Sequence, residues 1–494
     1  MFIKKLMLPM LLASFAGFVA CGDGDSPTTP NQNCSEGINA GDPSNPVNPD
    51  TPVMPSDPTT PDTPVIPNEP TTPDTSVVVP DPTTPDTPVT PPPSSGVASL
   101  ASAADATVPA SLYGVWKPFH YVNIEDESVY YPKPAEKYGE VFTADYLPAA
   151  RVIWSAQTGY YADQCDVASS TIKSMTKRGC TVSEGMGYGM LITYFQGDDD
   201  AFIRLWNYSR GFRAYHNLSL TPWITYNFRY NEIDNSSATD ADLDIATSLI
   251  LMYYRTQNQA FLSDALTIVN AIWNDEVNKE TLLLYSGDTD MWTGANPVYN
   301  LSYFSPVALR LFAQVDKNHD WKGVLDNMYA YMQKVQDAGT GVFPDWSDAA
   351  GMAANPDNGS ADKTYWTFNK ESVRIPLRIA WDYYWNQDER AKAVLTKLNN
   401  FISEKASGNP DSKALATNYS WNLSVGADAT GSTVSSHWYG AWCLTGIAGN
   451  SQWFESCTKT YNAKDMSTSN SSYFPNILQM MFSQLMNGLY VKPF

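Results

Sequence analysis

At 494 residues, with 31 basic and 52 acidic side chains, the chain carries a formal charge of −21 at neutral pH. That balance excludes nucleic acid as a partner, because phosphate recognition needs Lys and Arg gathered on one face. The four histidines (His120, His216, His319, His437) have no zinc-type spacing, and neither a phosphate-binding loop nor a G-x-S-x-G elbow is present, so no metal and no cofactor is expected.

Residues 1–20 combine Lys4 and Lys5 with an apolar run too short to span a bilayer comfortably, which reads as an export signal. Phe18-Val19-Ala20-Cys21 is similar to a bacterial lipobox, so Cys21 is expected to be lipidated; ordinary cleavage near Ala20 is the alternative. Residues 21–107 hold 20 of the 35 prolines, 12 of the acidic residues, no Lys or Arg, and the repeat PTTPDT at Pro58, Pro70 and Pro82. Such sequence buries too little apolar surface to offset chain entropy, and it is expected to be a disordered linker. The folded domain is expected to be 108–494.

From Val182 onward, apolar residues recur at three- and four-residue spacing, broken by Gly, Pro, Asn and Asp. Helices are predicted near 183–195, 198–208, 241–256, 261–274, 303–315, 321–338, 372–386, 390–405, 437–448 and 474–488, with weaker signals near 140–150 and 168–178. They come in pairs, an apolar helix followed by a more charged one. About twelve helices in inner and outer sixes predict an all-α (α/α)6 toroid; an α-solenoid or two bundles are alternatives, the former disfavoured by the lack of a regular repeat. Cys165 with Cys180, and Cys443 with Cys457, would each close a short loop compatible with a disulfide in an exported protein; four free thiols are the alternative.

The 15 Trp and 29 Tyr exceed what an ordinary core needs. Trp223, Tyr226, Trp292, Tyr299, Trp346, Trp366 and Trp438 lie in loop-like sequence, where flat rings suit the C–H faces of sugars as well as core packing.

Two motifs carry chemistry. In Ser183-Glu184-Gly185-Met186-Gly187-Tyr188-Gly189-Met190, Ser183 is expected to cap a helix. Three glycines within five residues imply close approach of another backbone or a ligand, and Glu184, crowded by Met186 and Tyr188, is a candidate general acid. In Ala238-Thr239-Asp240-Ala241-Asp242-Leu243-Asp244, Asp240 is expected to cap a helix whose first turn holds Asp242 and Asp244; the calcium-loop pattern is not met.

Together these motifs resemble glycoside hydrolase family 8, whose members are inverting β-1,4-glucanases, xylanases, chitosanases and mixed-linkage glucanases on an (α/α)6 barrel. Asn300-Leu301-Ser302-Tyr303-Phe304 and Gly341-Val342-Phe343-Pro344-Asp345-Trp346 are similar to further family segments. The resemblance implies Glu184 as general acid and Asp240 as the carboxylate at the cleavage subsite, with Asp242 the second candidate. Tyr188, Trp223, Tyr303, Trp346 and Arg374 are the expected substrate-binding residues beside these acids, Arg374 also holding the Glu371 carboxylate ionised and oriented.

The chain departs from the family at Phe368-Asn369-Lys370-Glu371-Ser372-Val373-Arg374-Ile375-Pro376-Leu377-Arg378. Aligning the arginines places Glu371 where the family's catalytic Asp stands, with Lys370 in place of Tyr and Leu377 in place of Trp. Glu371 is the expected base, with the insert 347–367 (Asp348, Asp362) as the second source. The expected protein is a monomeric endo-acting hydrolase of a β-linked polysaccharide, held at the cell envelope by its lipid. A glycan-binding lipoprotein on a degenerate hydrolase scaffold is the alternative, and a polysaccharide lyase a weaker one.

Overall fold

The computed structural model describes residues 97–126, 141–154, 180–225, 236–356, 364–411, 415–423, 436–468 and 472–493. The expected signal, Cys21, the proline-rich stretch, Cys165, the helix near 168–178, Tyr226, Asp362 and the side chain of His437 lie outside these residues. Among the described residues, twelve helices of two turns or more alternate between two layers: α1 (Thr107–His120), α2 (Ser183–Gln196), α3 (Asp199–His216), α4 (Thr239–Thr256), α5 (Gln259–Ala271), α6 (Pro306–Val315), α7 (Trp321–Asp337), α8 (Ile375–Asn386), α9 (Glu389–Lys405), α10 (Ser436–Leu444), α11 (Ser451–Asn462) and α12 (Tyr473–Met486).

The even-numbered helices form the inner ring. In α2 every residue but Glu184 and Gln196 is buried, and in α4 every residue from Thr239 to Tyr254, as helices enclosed on all sides must be. The outer helices keep one apolar stripe: α9 buries Ala391, Val394, Leu395, Leu398 and Ile402 and turns its charges outward. Helix α12 packs against α2 and closes the ring, with α1 outside it. The architecture is the (α/α)6 barrel expected from the paired pattern.

Two local expectations are corrected. Among the described residues of the stretch 140–150, Val141 is helical but no helix continues from it: the chain makes the 3-10 turn Ala144–Tyr146 and, past Pro148, enters the strand Ala150–Val152. Conversely, α1 was not predicted; its proline- and glycine-containing sequence hides a stripe of Leu112, Trp116 and His120 at four-residue spacing.

Capping separates the layers. Outer helices α3, α5, α7, α9 and α11, though not α1, begin on their own side-chain caps: Asp198 accepts from Ala201 N (3.1 Å), Asn258 from Ala260 N (3.0 Å), Asp320 from Gly323 N (2.8 Å), Asp388 from Arg390 N (2.8 Å) and Asn450 from Trp453 N (3.1 Å). Inner helices α2, α4, α6, α8 and α12 have no such cap. The expected caps Ser183 and Asp240 instead lie inside the first turn, because α2 starts one residue early and α4 two: Ser183 N donates to Trp223 O (2.8 Å), and Asp240 Oδ1 accepts from Ala241 N (2.9 Å). The positive ends of the inner helices therefore remain available to other groups.

Short turns join inner to outer helices at one end of the barrel, with Gly197 (φ 77°) between α2 and α3. Long loops return at the other end, where the inner helices begin. Two-residue antiparallel ladders tie these loops together: 181–182 with 224–225, 298–299 with 347–348, and 367–368 with 419–420. Cys443 and Cys457 form a disulfide between α10 and α11. Cys180 is also disulfide-bonded.

Helices α2 and α4 touch through Gly187. A Cβ there would lie 2.9 Å from Asp244 Cβ and 3.1 Å from Ala241 O, neither of which can swing aside. Gly187→Ala is expected to destabilise the protein by about 1–3 kcal/mol through this overpacking, read as a lowered urea midpoint. An unchanged midpoint would show that the helices separate freely.

Asp242 was expected near the sugar; the structure buries it completely instead, because the second acid of the motif points away from the mouth. Its Oδ1 accepts from Thr221 N (2.9 Å), while buried Glu276 accepts from Ser237 Oγ (2.6 Å). Thr221 and Ser237 flank the bridge between Pro222 and Ser237, so the two carboxyls hold adjoining loop segments. Asp242 Oδ2 and Glu276 Oε2 have no hydrogen-bond partner. Burial pushes Asp242 up to about 7 and Glu276 well above the carboxylate range, the latter reinforced by Asp242.

An unfolded Asp ionises near ~4, so between that pH and 7 the folded protein holds a proton that the unfolded chain releases. The resulting stability is whole at acid pH and lost as pH rises through 7. Asp242→Asn keeps an acceptor for Thr221 but cannot ionise. Its unfolding free energy is expected to fall less than that of wild type between about pH 4 and 7; parallel profiles in denaturant titrations would contradict the assignment.

Candidate active site

The uncapped N-termini of the inner helices converge on one side chain. Arg374 ends the 3-10 turn Ser372–Arg374 that leads into α8, where Pro376 is tolerated because the first helical N–H groups have no intrahelical acceptor. Its guanidinium is almost fully buried and so requires partners. Nη1 donates to Glu184 Oε2 (2.6 Å) and to Asp240 Oδ2 (2.9 Å), and Nη2 donates to Glu371 Oε2. One cation thus joins the first turns of α2 and α4 to the turn before α8.

Each outer carboxylate has a second donor. Tyr473, at the start of α12, donates to Glu184 Oε1 (2.8 Å), and Asn300 Nδ2 donates to Glu371 Oε2 (2.9 Å). The room for Tyr473 comes from Gly185, where a Cβ would stand 3.0 Å from the tyrosine oxygen. Half-buried Tyr303 lies beside the hub, with the Arg374 guanidinium 5.3 Å from its ring centre.

One helical turn deeper, the pattern repeats. Arg378 is four residues after Arg374 and Asp244 four after Asp240; Arg378 clasps both Asp244 oxygens, with Nη2 to Oδ2 at 2.7 Å. Tyr188, four after Glu184, fills the space between the layers: Arg378 lies 5.5 Å from its ring centre, and its hydroxyl is 3.5 Å from Arg374 Nη1.

The upper layer has three carboxyls and one arginine, so in this low-dielectric setting at least one is driven to keep a proton. Burial raises Glu184, against the pull of Arg374. Burial likewise pushes Asp240 up to about 8, opposed by Arg374 and reinforced by Glu184. A carboxyl that retains its proton near neutrality is what general-acid catalysis requires.

Of the residues singled out in the sequence, Glu184, Asp240, Glu371, Arg374 and Tyr303 meet in this cluster. Tyr188 does not offer its ring to the groove; at 1% exposure it supports Arg374 from below. Trp223 braces the start of α2 through its carbonyl and sets its ring against Trp154 (6.3 Å, 69°). Trp346 is stacked parallel to Trp292 at 5.5 Å on the loop end of the barrel. Asp348 accepts from Met352 N (2.9 Å) and makes no bond to the hub.

Three participants were missed. Asn300 and Asp345 lay within segments already singled out, but nothing local shows that Asn300 reaches Glu371 or that Asp345 reaches the 369–372 turn. Tyr473, 289 residues from Glu184, left no local signal.

The chain is similar to known proteins of one family. A family model described as glycosyl hydrolases family 8 matches residues 159–488. The chain is 33% identical over 309 residues to Endoglucanase 2 of Ruminiclostridium josui, covering 61% of this chain and 62% of that protein. It is 29% identical over 358 residues to a β-glucanase of Niallia circulans, covering 68% and 83%. Among solved structures, the β-1,3-1,4-glucanase of Paenibacillus sp. X4 superposes with a TM-score of 0.61 at 23% identity, covering 80% of this chain and 96% of that one. Rex8A of Paenibacillus barcinonensis, complexed with xylose, gives 0.58 at 16%, covering 78% and 93%. The chain therefore spans about 62% of the length of the first of these curated relatives. The matched span includes every element of the cluster, from Glu184 on α2 to Tyr473 on α12, and the chain belongs to glycosyl hydrolases family 8.

Proposed function

We propose that this protein hydrolyses a β-1,4-linked polysaccharide, a glucan or a xylan, with inversion at the anomeric carbon, Glu184 acting as general acid and Glu371 as general base. The observation that carries this reading is the shared guanidinium: Glu184 and Glu371 approach the groove from different inner elements and are held on the two terminal nitrogens of Arg374. An inverting pair stands ~6.5–9.5 Å apart, with a water between the base and the sugar.

Burial keeps a proton on the Glu184–Asp240 side of the hub, where the departing glycosidic oxygen must receive one. Glu371 Oε2 is held by Arg374 and Asn300, whereas Oε1 engages no protein donor among the described residues and is left to accept a proton from water. Asp240, anchored by Ala241 N and Arg374, holds the sugar at the cleavage subsite. The names of the relatives, endoglucanase and β-glucanase, support a β-glucan as substrate. Residues 1–20 and Cys21 support export and lipidation, and 21–107 a tether, so that a monomeric enzyme with an endo-acting groove works at the cell envelope.

The test is release of reducing ends from carboxymethylcellulose, mixed-linkage glucan, xylan and chitosan by wild type, Glu184→Gln and Glu371→Gln, with the product anomer followed by NMR. Each substitution is expected to lower kcat by roughly 10²–10⁴-fold, and wild type to release the α-anomer first. A β-anomer would refute inversion, and full activity of Glu371→Gln would refute this base. Glycan binding without turnover in wild type would favour a binding lipoprotein.

A further inference from the structure

Asp345 has no exposed surface and cannot touch substrate, yet it is bound to the segment that carries both Glu371 and Arg374. Its Oδ1 alone accepts from Asn369 N (3.0 Å), Glu371 N (3.2 Å), Ser372 N (2.9 Å) and Ser372 Oγ (2.8 Å). Its Oδ2 is buried and has no partner. Four donors converging on one oxygen while the other receives none is not how a carboxylate is normally satisfied. The asymmetry shows that the turn is wrapped around a single point.

The backbone of Asp345 is fixed in turn. Its N–H donates to Thr367 O (2.9 Å), Trp346 N donates to Tyr365 O (3.3 Å), and Ser347 pairs with Tyr299 in the 298–299 to 347–348 ladder. The residue after Tyr299 is Asn300, which holds the Glu371 side chain. One ladder therefore carries the group that fixes the backbone of Glu371 and leads directly to the group that fixes its carboxylate.

We propose that Asp345 is a positioning residue for the catalytic base, setting the place of Glu371 and Arg374 over the groove by gathering the amide hydrogens of the 369–372 turn on one oxygen. The inference rests on the reading of Glu371 as base. Burial, and then Glu371, push Asp345 up to about 7, and a proton taken up there has the unpartnered Oδ2 to occupy, so the four donors on Oδ1 need not be released. Ionised, the anchor binds its four donors most strongly; a proton on Oδ2 weakens it without releasing them.

Steady-state kinetics of the full chain on soluble cello- or xylo-oligosaccharides test it, using Asp345→Asn, Ser372→Ala, Glu371→Gln and the doubles of the first two with the third. Asp345→Asn keeps an acceptor of similar shape, but a neutral amide oxygen binds donors more weakly. It is expected to lower kcat by about 10–100-fold, the scale of a base misplaced by around 1 Å, with KM changed less than about threefold. Ser372→Ala, which removes one donor and leaves the carboxylate, is expected to give a smaller loss of the same kind and keeps the test open if Asp345→Asn fails to fold.

Because the anchor acts through Glu371, neither substitution is expected to lower activity further in the Glu371→Gln background. Wild-type kcat in both single variants, losses confined to KM, or losses that multiply with Glu371→Gln would overturn the proposal. Full activity of Glu371→Gln alone would overturn the base assignment instead, and the two failures are thereby told apart.

Discussion

A buried guanidinium serving three carboxylates is the interaction on which the active end of this barrel depends. Arg374 is 2% exposed, and an isolated charge at that depth would be strongly unfavourable. It is tolerated because Glu184, Asp240 and Glu371 arrive from three separate elements. The dependence is mutual: without Arg374 the three acids would repel one another and the inner helices would lose their common anchor. Such a cluster contributes little to net stability once desolvation is counted, and its value lies in fixing relative position.

The barrel makes this possible by treating its two layers differently. Five of the outer helices close their own N-termini with Asp or Asn caps, whereas α2, α4, α6, α8 and α12 of the inner ring have no side-chain cap. Four-residue spacing then copies the mouth one turn down, as Arg378 with Asp244 beneath Arg374 with Asp240, and Tyr188 beneath Glu184. The lower pair is fully buried and bidentate; it holds α8 against α4 without entering the groove.

Much of this was legible in the sequence because it is written in local periodicity. Helix pairs and the all-α class follow from spacing, Glu184 from its motif, and Asp240, Glu371 and Arg374 from the resemblance to the family. What escaped depends on long-range approach. Tyr473 meets Glu184 only because α12 closes the ring beside α2, and Asn300 and Asp345 meet at Glu371 only through a ladder between two loops. The helix caps differ for a related reason: Ser183 and Asp240 have cap chemistry, but pairing of the strand before α2 moves Ser183 one position into its helix, and the bond to the hub accompanies Asp240 two positions into its own. Tyr188 and Asp242 belong to functional motifs and yet face inward, since a helix motif supplies support as well as contact.

The substitution of Glu for the family's Asp at position 371 is best understood together with its surroundings. A longer side chain has one more rotatable bond, and left to itself it would be less well placed. Here its carboxylate is held by Arg374 and Asn300, while Asp345 gathers the backbone beneath it. Glu184 stands in a different environment, donated to by Tyr473 and Arg374 but close to Asp240 and cut off from water, so that burial favours its protonated form. Two chemically identical side chains thereby acquire different surroundings, and in the proposed mechanism the division of labour between acid and base rests on those surroundings rather than on residue type. Placement by converging donors also explains why the departure at 371 is compatible with catalysis: what the reaction requires is the position of an oxygen atom, and a rigid enough frame can deliver that position with either side chain.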